Sequence, residues 1–93
     1  MIKSFSDKRT AHIFAGRFVK RLDPDVQRQA LRRLRYIDAA ERLDDLRIPP
    51  SNRLAKKQGD LKNFYAIRVN AQWRIIFRWV DGSAYDVEFI DYH

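Results

Sequence analysis

One stretch, residues 64–89, reads FYAIRVNAQWRIIFRWVDGSAYDVEF and determines the expected fold. Apolar and polar residues alternate through it with the period of two that is typical of β-strands with one buried face. Asp81-Gly82 is a strong signal for a two-residue hairpin turn, and Asn70-Ala71 is a plausible second turn. The stretch is therefore predicted to form three antiparallel strands. Their predicted apolar face consists of Tyr65, Ile67, Val69, Trp73, Ile75, Phe77, Trp79, Tyr85, Val87 and Phe89.

Two helices are predicted ahead of these strands. Ser6 is the expected N-cap of a first helix, which extends to about Val19. Asp23 is the expected N-cap of a second helix, because Pro24 suits the first helical position and apolar residues then recur at helical spacing. This second helix is expected to run to about Ala40.

The order of these elements predicts an α+β fold. Ile2–Phe5 alternates and is expected to form a short N-terminal strand, and Leu54 is the expected start of another short strand. Helices followed by an antiparallel meander favour both helices packing on the apolar face of a sheet of three to four strands. The 93 residues are expected to form a single domain, residues 1–93.

Composition excludes several classes of protein. A hydrophobic content of 45% argues against a disordered chain, and no apolar run approaches the length of a membrane span. The absence of cysteine excludes disulfides and thiolate nucleophiles, and two histidines argue against a closed zinc site. We therefore expect a cytoplasmic protein with no metal, no cofactor and no membrane association.

The charge balance favours a polyanionic partner. Nineteen Lys and Arg stand against twelve Asp and Glu, which gives a formal net charge of +7 and a pI of about 10.1. Nucleic acid is the default partner for such an excess. The alternative is a basic protein whose charge only keeps it in solution.

The polar face of the predicted sheet carries Arg68, Arg74 and Arg78. Arg68 and Arg74 are close in a hairpin, so both could reach one phosphate, which the planar guanidinium group matches well. Asp86 and Glu88 are predicted on the same face and could instead pair with the arginines across the sheet. The residues alone slightly favour this pairing.

The predicted loop before the strands is densely basic. It carries Arg53, Lys56, Lys57 and Lys62 against one acid, Asp60. These cations are predicted to bind phosphates of RNA or ribosomal RNA. The alternative, a solvated loop, is disfavoured by the density of the charges and their net positive sign.

The chain ends in a carboxylate, a phenol and an imidazole: Asp91, Tyr92 and His93. Tyr92 could stack on a base and His93 could transfer protons near neutral pH. The alternative is a frayed terminus, which spacing alone favours. His12, within the first helix, is read as a packing or surface residue.

Five stretches of the chain carry a family resemblance: Met1–Phe5, Ile37–Ala40, Pro49–Leu54, Ile67–Ile75 and Asp91–His93. Together they resemble HigB-type toxins of the RelE/ParE superfamily, over nearly the whole chain and in order. The resemblance implies a RelE-like fold, a ribosome-dependent endoribonuclease that cleaves mRNA in the ribosomal A site by 2′-hydroxyl attack, and a HigA-type helix-turn-helix antitoxin.

The resemblance also implies roles for individual residues. Arg74 would stabilise the phosphate, Asp91, Tyr92 and His93 would form the catalytic and base-stacking end, and Lys56 and Lys57 would assist. Some relatives carry a catalytic His directly after the leucine that matches Leu54, whereas this chain has Ala55. His93 would then transfer protons alone, or Asp91 or a lysine would share the task, or the activity would be weak.

Two other functions remain open at the level of sequence. One is a ParE-like toxin of the same fold that acts on DNA gyrase without cutting RNA. The other is a non-enzymatic basic module that binds nucleic acid. The basic sheet face and the Asp91–His93 ending favour the ribonuclease, because a toxin with a protein target does not need that cluster.

Overall fold

A computed structural model describes residues 1–57 and 63–91 of the chain. Its strands form one antiparallel sheet in the order β1-β2-β3-β4, with the helices on one face, which confirms the predicted α+β fold. The elements are α1 (Lys8–Phe14), α2 (Pro24–Ala39), two 3-10 helices (Leu43–Arg47 and Pro50–Asn52), β1 (Ala55–Lys56), β2 (Phe64–Arg68), β3 (Trp73–Val80) and β4 (Ser83–Asp91).

The predicted N-terminal strand is present as two parallel bridges to β4, the last strand of the sheet. Ile2 is paired with Ala84 and Phe5 with Val87. The backbone N–H of Ile2 also donates to the Asp38 carboxylate of α2 at 2.9 Å. Residues 1–6 therefore cover the edge of β4, which would otherwise present unpaired backbone groups.

Helix α1 differs from its prediction at both ends. The cap is Asp7 and not Ser6: its side chain accepts from the backbone N–H of Thr10 at 3.2 Å. The helix ends at Phe14 and not near Val19. Gly16 has a φ of +79°, a left-handed conformation that stops the helix and that glycine adopts without steric cost.

Helix α2 begins where the sequence predicted and ends within a residue of the predicted end. Asp23 is its N-cap, and the Asp23 carboxylate accepts from the backbone N–H of Asp25 at 2.7 Å. Gln27, in the first turns of α2, is buried. Its side-chain oxygen accepts from the backbone N–H of Val19, and its side-chain nitrogen donates to the carbonyls of Val19 and Leu22. These bonds hold the connection from α1 against α2.

The hairpin between β3 and β4 is tight, as Asp81-Gly82 predicted. Both residues have positive φ, +49° and +78°, the pattern of a type I′ turn. Further along, Ile76 pairs with Glu88 and Arg78 with Tyr85, so β4 contains one extra residue, a β-bulge.

The bulge overturns one prediction. Asp86 has a φ of +55°. The residues of β4 that precede it therefore face the side of the sheet opposite to the one that strict alternation predicts. Tyr85 was predicted on the apolar face, but it pairs with Arg78 and lies on the opposite face. Ala84, which is fully buried, takes the core position instead, beside Val87.

The core lies between α2 and the apolar face of the sheet. Trp73 and Trp79 pack against it, as predicted. In the part of the chain that the structure describes, no helix is both long and apolar enough to cross a membrane. The fully buried large apolar side chains are Leu34, Ile37, Leu46, Ile67, Ile75, Phe77, Val87 and Phe89.

Candidate nucleic-acid interface

The sheet face opposite to α1 and α2 is called the open face below. It holds the three arginines that the sequence predicted there. The pairing registers place on it Ala55, Phe64, Ala66, Arg68, Arg74, Ile76, Arg78, Tyr85, Glu88 and Ile90.

Arg68 and Arg74 lie directly opposite each other at the ends of β2 and β3. Side chains so paired share a face, with Cβ atoms about 4.5–5.5 Å apart, and like charges in this arrangement destabilise the sheet. The positions of both are supported by neighbouring groups. Arg74 Nη1 donates to the Asn70 carbonyl at 2.7 Å, and Arg33 Nε from α2 donates to the Arg68 carbonyl at 3.2 Å. The sheet thus holds two cations side by side.

Arg78, the third arginine, is paired. Its Nε lies 3.2 Å from the Asp86 carboxylate, and its guanidinium lies 5.1 Å from the centre of the Tyr85 ring. The cross-strand pairing that the sequence offered as an alternative therefore occurs at this arginine. Asp86 reaches Arg78 from the bulge.

The centre of the open face is apolar and sheltered. Ala66 and Ile76 are opposite each other there, and both are buried, at 6% and 7% exposure. Ala55 pairs with Ala66 and extends this small apolar floor to β1. The position at which the resemblance placed a histidine in some relatives therefore lies on the same face as Arg68 and Arg74.

Among the described cations of the predicted basic loop, the one with a strand register does not lie on this face. Lys56 pairs with Tyr65 and so belongs to the helix-covered side of the sheet, where it is exposed at the β1 edge. Arg53 is exposed and has a φ of +47°, and the backbone N–H of Lys57 donates to the Phe64 carbonyl at 2.8 Å. Lys62 lies outside the described residues.

The C-terminal cluster is described only at Asp91. Asp91 pairs with Trp73, so the register places it on the helix-covered side of the sheet, whereas Arg74 is on the open face. Its carboxylate accepts from Gln72 Nε2 at 3.2 Å. Tyr92 and His93 lie outside the described residues.

Arg9 was not recognised in the sequence as a site residue. Its Nη2 donates to the Phe89 carbonyl at 2.9 Å, and its guanidinium lies 5.5 Å from the Trp73 ring centre. Thr10 beside it accepts from the Phe89 backbone N–H at 2.9 Å. Helix α1 therefore holds the end of β4 just before Asp91. These contacts join residues about 80 positions apart, and no local pattern signals them.

Metal ligation has no evident centre in residues 1–57 and 63–91. No three or more His, Cys, Asp or Glu side chains among them are grouped closely enough to hold an ion. The chemistry that the described residues themselves offer is the binding of anionic oxygens by guanidinium groups.

Comparison with known proteins identifies the family. A family model described as the RelE-like toxin of the type II toxin-antitoxin system HigB matches residues 3–93. The chain is 43% identical to "Toxin HigB-1" of Vibrio cholerae over 94 residues, covering all of this chain and 98% of that protein. It is 31% identical to "Endoribonuclease HigB" of Proteus vulgaris over the whole length of both. The chain belongs to the RelE-like HigB family, the toxins of type II toxin–antitoxin systems, and such a system implies an antitoxin as its partner.

Proposed function

We propose that this toxin is an endoribonuclease that cleaves mRNA in the ribosomal A site, through attack of a 2′-hydroxyl and without a metal ion. The observation that carries the proposal is the pairing of Arg68 with Arg74. Two adjacent cations cost stability, but they bind a phosphate well, because each guanidinium can donate two parallel hydrogen bonds to its oxygens. The name of the Proteus vulgaris relative supports ribonuclease activity.

Cleavage of this kind requires three tasks: stabilising charge on the phosphate, removing the proton of the 2′-hydroxyl, and protonating the 5′-oxygen that leaves. Arg74 takes the first task, with Arg68 opposite it. His93 takes proton transfer, which its imidazole suits near neutral pH, and Asp91 assists it. Tyr92 stacks on a base of the mRNA. Because the Ala55 side chain cannot transfer a proton, proton transfer depends more on the C-terminal residues.

The proposed contact with the ribosome rests on the positive charge of the protein. A net charge of +7 exceeds what one phosphate site needs. Arg53, Lys56, Lys57 and Lys62 would contact 16S ribosomal RNA, with Arg78 as a further contact, because such phosphate contacts position a protein without reading sequence. The antitoxin is proposed to be of the HigA type, with a helix-turn-helix.

Primer extension on a defined mRNA tests this function, with programmed ribosomes present or absent and with a further arm in which the toxin alone is treated with EDTA and desalted before it meets the ribosomes. We expect cuts only with ribosomes, at the A-site codon, and to the same extent with the EDTA-treated toxin. Arg74→Ala and deletion of His93 should each reduce cleavage by about 10²-fold, the usual cost of losing a transition-state contact or a proton donor.

Arg42→Ala is the matched control, because Arg42 is exposed and pairs only loosely, at 3.7 Å, with Asp44. It should cleave like the wild type. If folded toxin stops growth but leaves mRNA intact in every arm, the ribonuclease proposal is wrong. A gyrase assay would then test the other function of this fold.

A further inference from the structure

A second surface lies on the side of the molecule away from the open face. Here the outer face of α2 meets the connection that follows α1. A depression of about 250 Å³ has Ile13, Phe18 and Leu31 among its apolar walls. A second one, of about 410 Å³, continues along α2 past Arg32 and Arg35. The two share Leu31 and Arg28, so they form one trough, called the α2 groove below.

The groove exposes apolar surface that the fold does not use. Phe18 is 70% exposed, which is unusual for a large aromatic side chain, and it stands at the rim. Ile13 is buried beneath, while Leu31 and Tyr36 are half-buried along the length of the groove. An exposed aromatic next to an apolar depression is a common feature of protein-binding sites, because a partner side chain can fill the depression.

The polar part of the groove is strongly positive. Arg28, Arg32 and Arg35 follow one another at helical spacing along its wall, and all three are exposed. Asp25 pairs with Arg28 at 2.7 Å, but this pair is more than 60% exposed on both sides and contributes little to stability. A partner carboxylate could therefore approach Arg28 at small cost, and Arg32 and Arg35 more readily.

We propose that the α2 groove binds an acidic amphipathic segment of the antitoxin. The proposal rests on the antitoxin partner that the family implies, and not on the cleavage chemistry. From Pro24 to Tyr36 the groove follows α2 for about 18 Å, at 1.5 Å per residue, so a helix of about 12 residues would fill it. Apolar side chains of that segment enter beside Phe18 and Leu31, and its carboxylates face the arginines.

RNA fits this surface less well than a peptide does. Phosphates would use the arginines but would leave the apolar depression empty. A helix laid in a groove uses both, through apolar anchors at helical spacing and charges at the rim. The position on the far side of α2 also separates this contact from Arg68 and Arg74, so that antitoxin binding and RNA cleavage can be perturbed independently.

The experiment measures the affinity of the full-length antitoxin for four variants of the full-length toxin by titration calorimetry. Phe18→Ala removes the exposed anchor, and Arg32→Glu/Arg35→Glu reverses two charges while keeping good helix formers. The matched controls are Ile48→Ala, at another apolar residue that is 76% exposed, and Lys3→Glu, at an exposed cation outside the groove. Ribosome-dependent cleavage is measured for each variant without antitoxin, and thermal unfolding confirms that each one is folded.

Both groove variants should bind the antitoxin at least tenfold more weakly than the wild type and still cleave mRNA, while the controls retain wild-type Kd. The affinity of the double charge reversal should also depend less on salt. Unchanged Kd in both groove variants would overturn the proposal. So would loss of cleavage with unchanged Kd, which would make the groove an RNA contact. Absence of cleavage in every protein, with Kd changed as expected, would count against the proposed ribonuclease and leave the groove proposal standing.

Discussion

Arg68 and Arg74 are expected to repel each other, and this repulsion can be measured. Because the two residues are directly opposed in β2 and β3, replacing either by Gln should relieve it, and replacing the second should then gain nothing more. A double-mutant cycle of Arg68→Gln and Arg74→Gln isolates this non-additive part from the lost contacts of each side chain.

The expected magnitude follows from the pairing geometry. Like charges directly opposite each other destabilise a sheet by roughly 0.2–1 kcal/mol. A value near 0.5 kcal/mol corresponds to about 2–4 °C in Tm for a domain of this size. The repulsion should be clear near 0.01 M salt, where the Debye length is about 30 Å, and nearly absent at 1 M, where it is about 3 Å.

Thermal and urea unfolding at these two ionic strengths provide the measurement. Arg35→Gln combined with Arg68→Gln is the control cycle, because Arg35 is exposed on the outer face of α2 and its effect should simply add. Arg68→Gln should also cleave mRNA about 10²-fold more slowly than the wild type. An attractive or salt-independent coupling would refute the reasoning, since the two arginines would then not be held against each other.

Three further predictions concern the supports of the fold. Thr10→Val should lower the free energy of unfolding by about 1–3 kcal/mol in urea titrations, because it leaves the buried backbone N–H of Phe89 without an acceptor; Thr10→Ser should restore most of it. Hydrogen bonds from two backbone N–H groups lower the pKa of the Asp45 carboxyl. The ionised carboxylate therefore stabilises the fold above its unfolded-state pKa of about 4, and this contribution is lost as the pH falls through the lower folded-state pKa. Asp45→Asn should therefore narrow the difference in Tm between pH 7 and pH 2.5. Gly82→Ala should cost about 1–2 kcal/mol in unfolding free energy, because φ there is +78°.

Features governed by local signals could be predicted from the sequence. The start of α2 follows from Asp23 and Pro24, which cap and initiate a helix without help from distant residues. The hairpin turn follows from Asp81-Gly82, since few dipeptides accept positive φ at both positions. The pairing of Arg68 with Arg74 follows from the strict alternation of side chains in the two strands that a short turn connects.

Features that depend on distant contacts could not be predicted. Ser6 and Asp7 are both good caps, and the docking of residues 1–6 on β4, where Ser6 donates to the Asp86 carbonyl, decides between them. The bulge that moves Tyr85 to the open face could not be predicted, because the apolar and polar residues of the sequence alternate without a break through it. The contacts of Arg9 with β4 depend on how α1 packs. The predicted roles of Lys62, Tyr92 and His93 concern residues outside those described.

The bulge in β4 divides the arginines of the open face into two kinds. It brings the Asp86 carboxylate to 3.2 Å from Arg78, so a phosphate at Arg78 would have to displace a group of its own charge. At Arg68 and Arg74 the register instead sets two like charges opposite each other, and a phosphate between them would offset the repulsion expected from that pairing. We therefore expect an anion to bind more strongly at the Arg68–Arg74 pair than beside the bulge. Since Asp91 of β4 pairs with Trp73 of β3, Asp91 lies at the same end of the sheet as Arg68 and Arg74, which is where the proposed cleavage would need it.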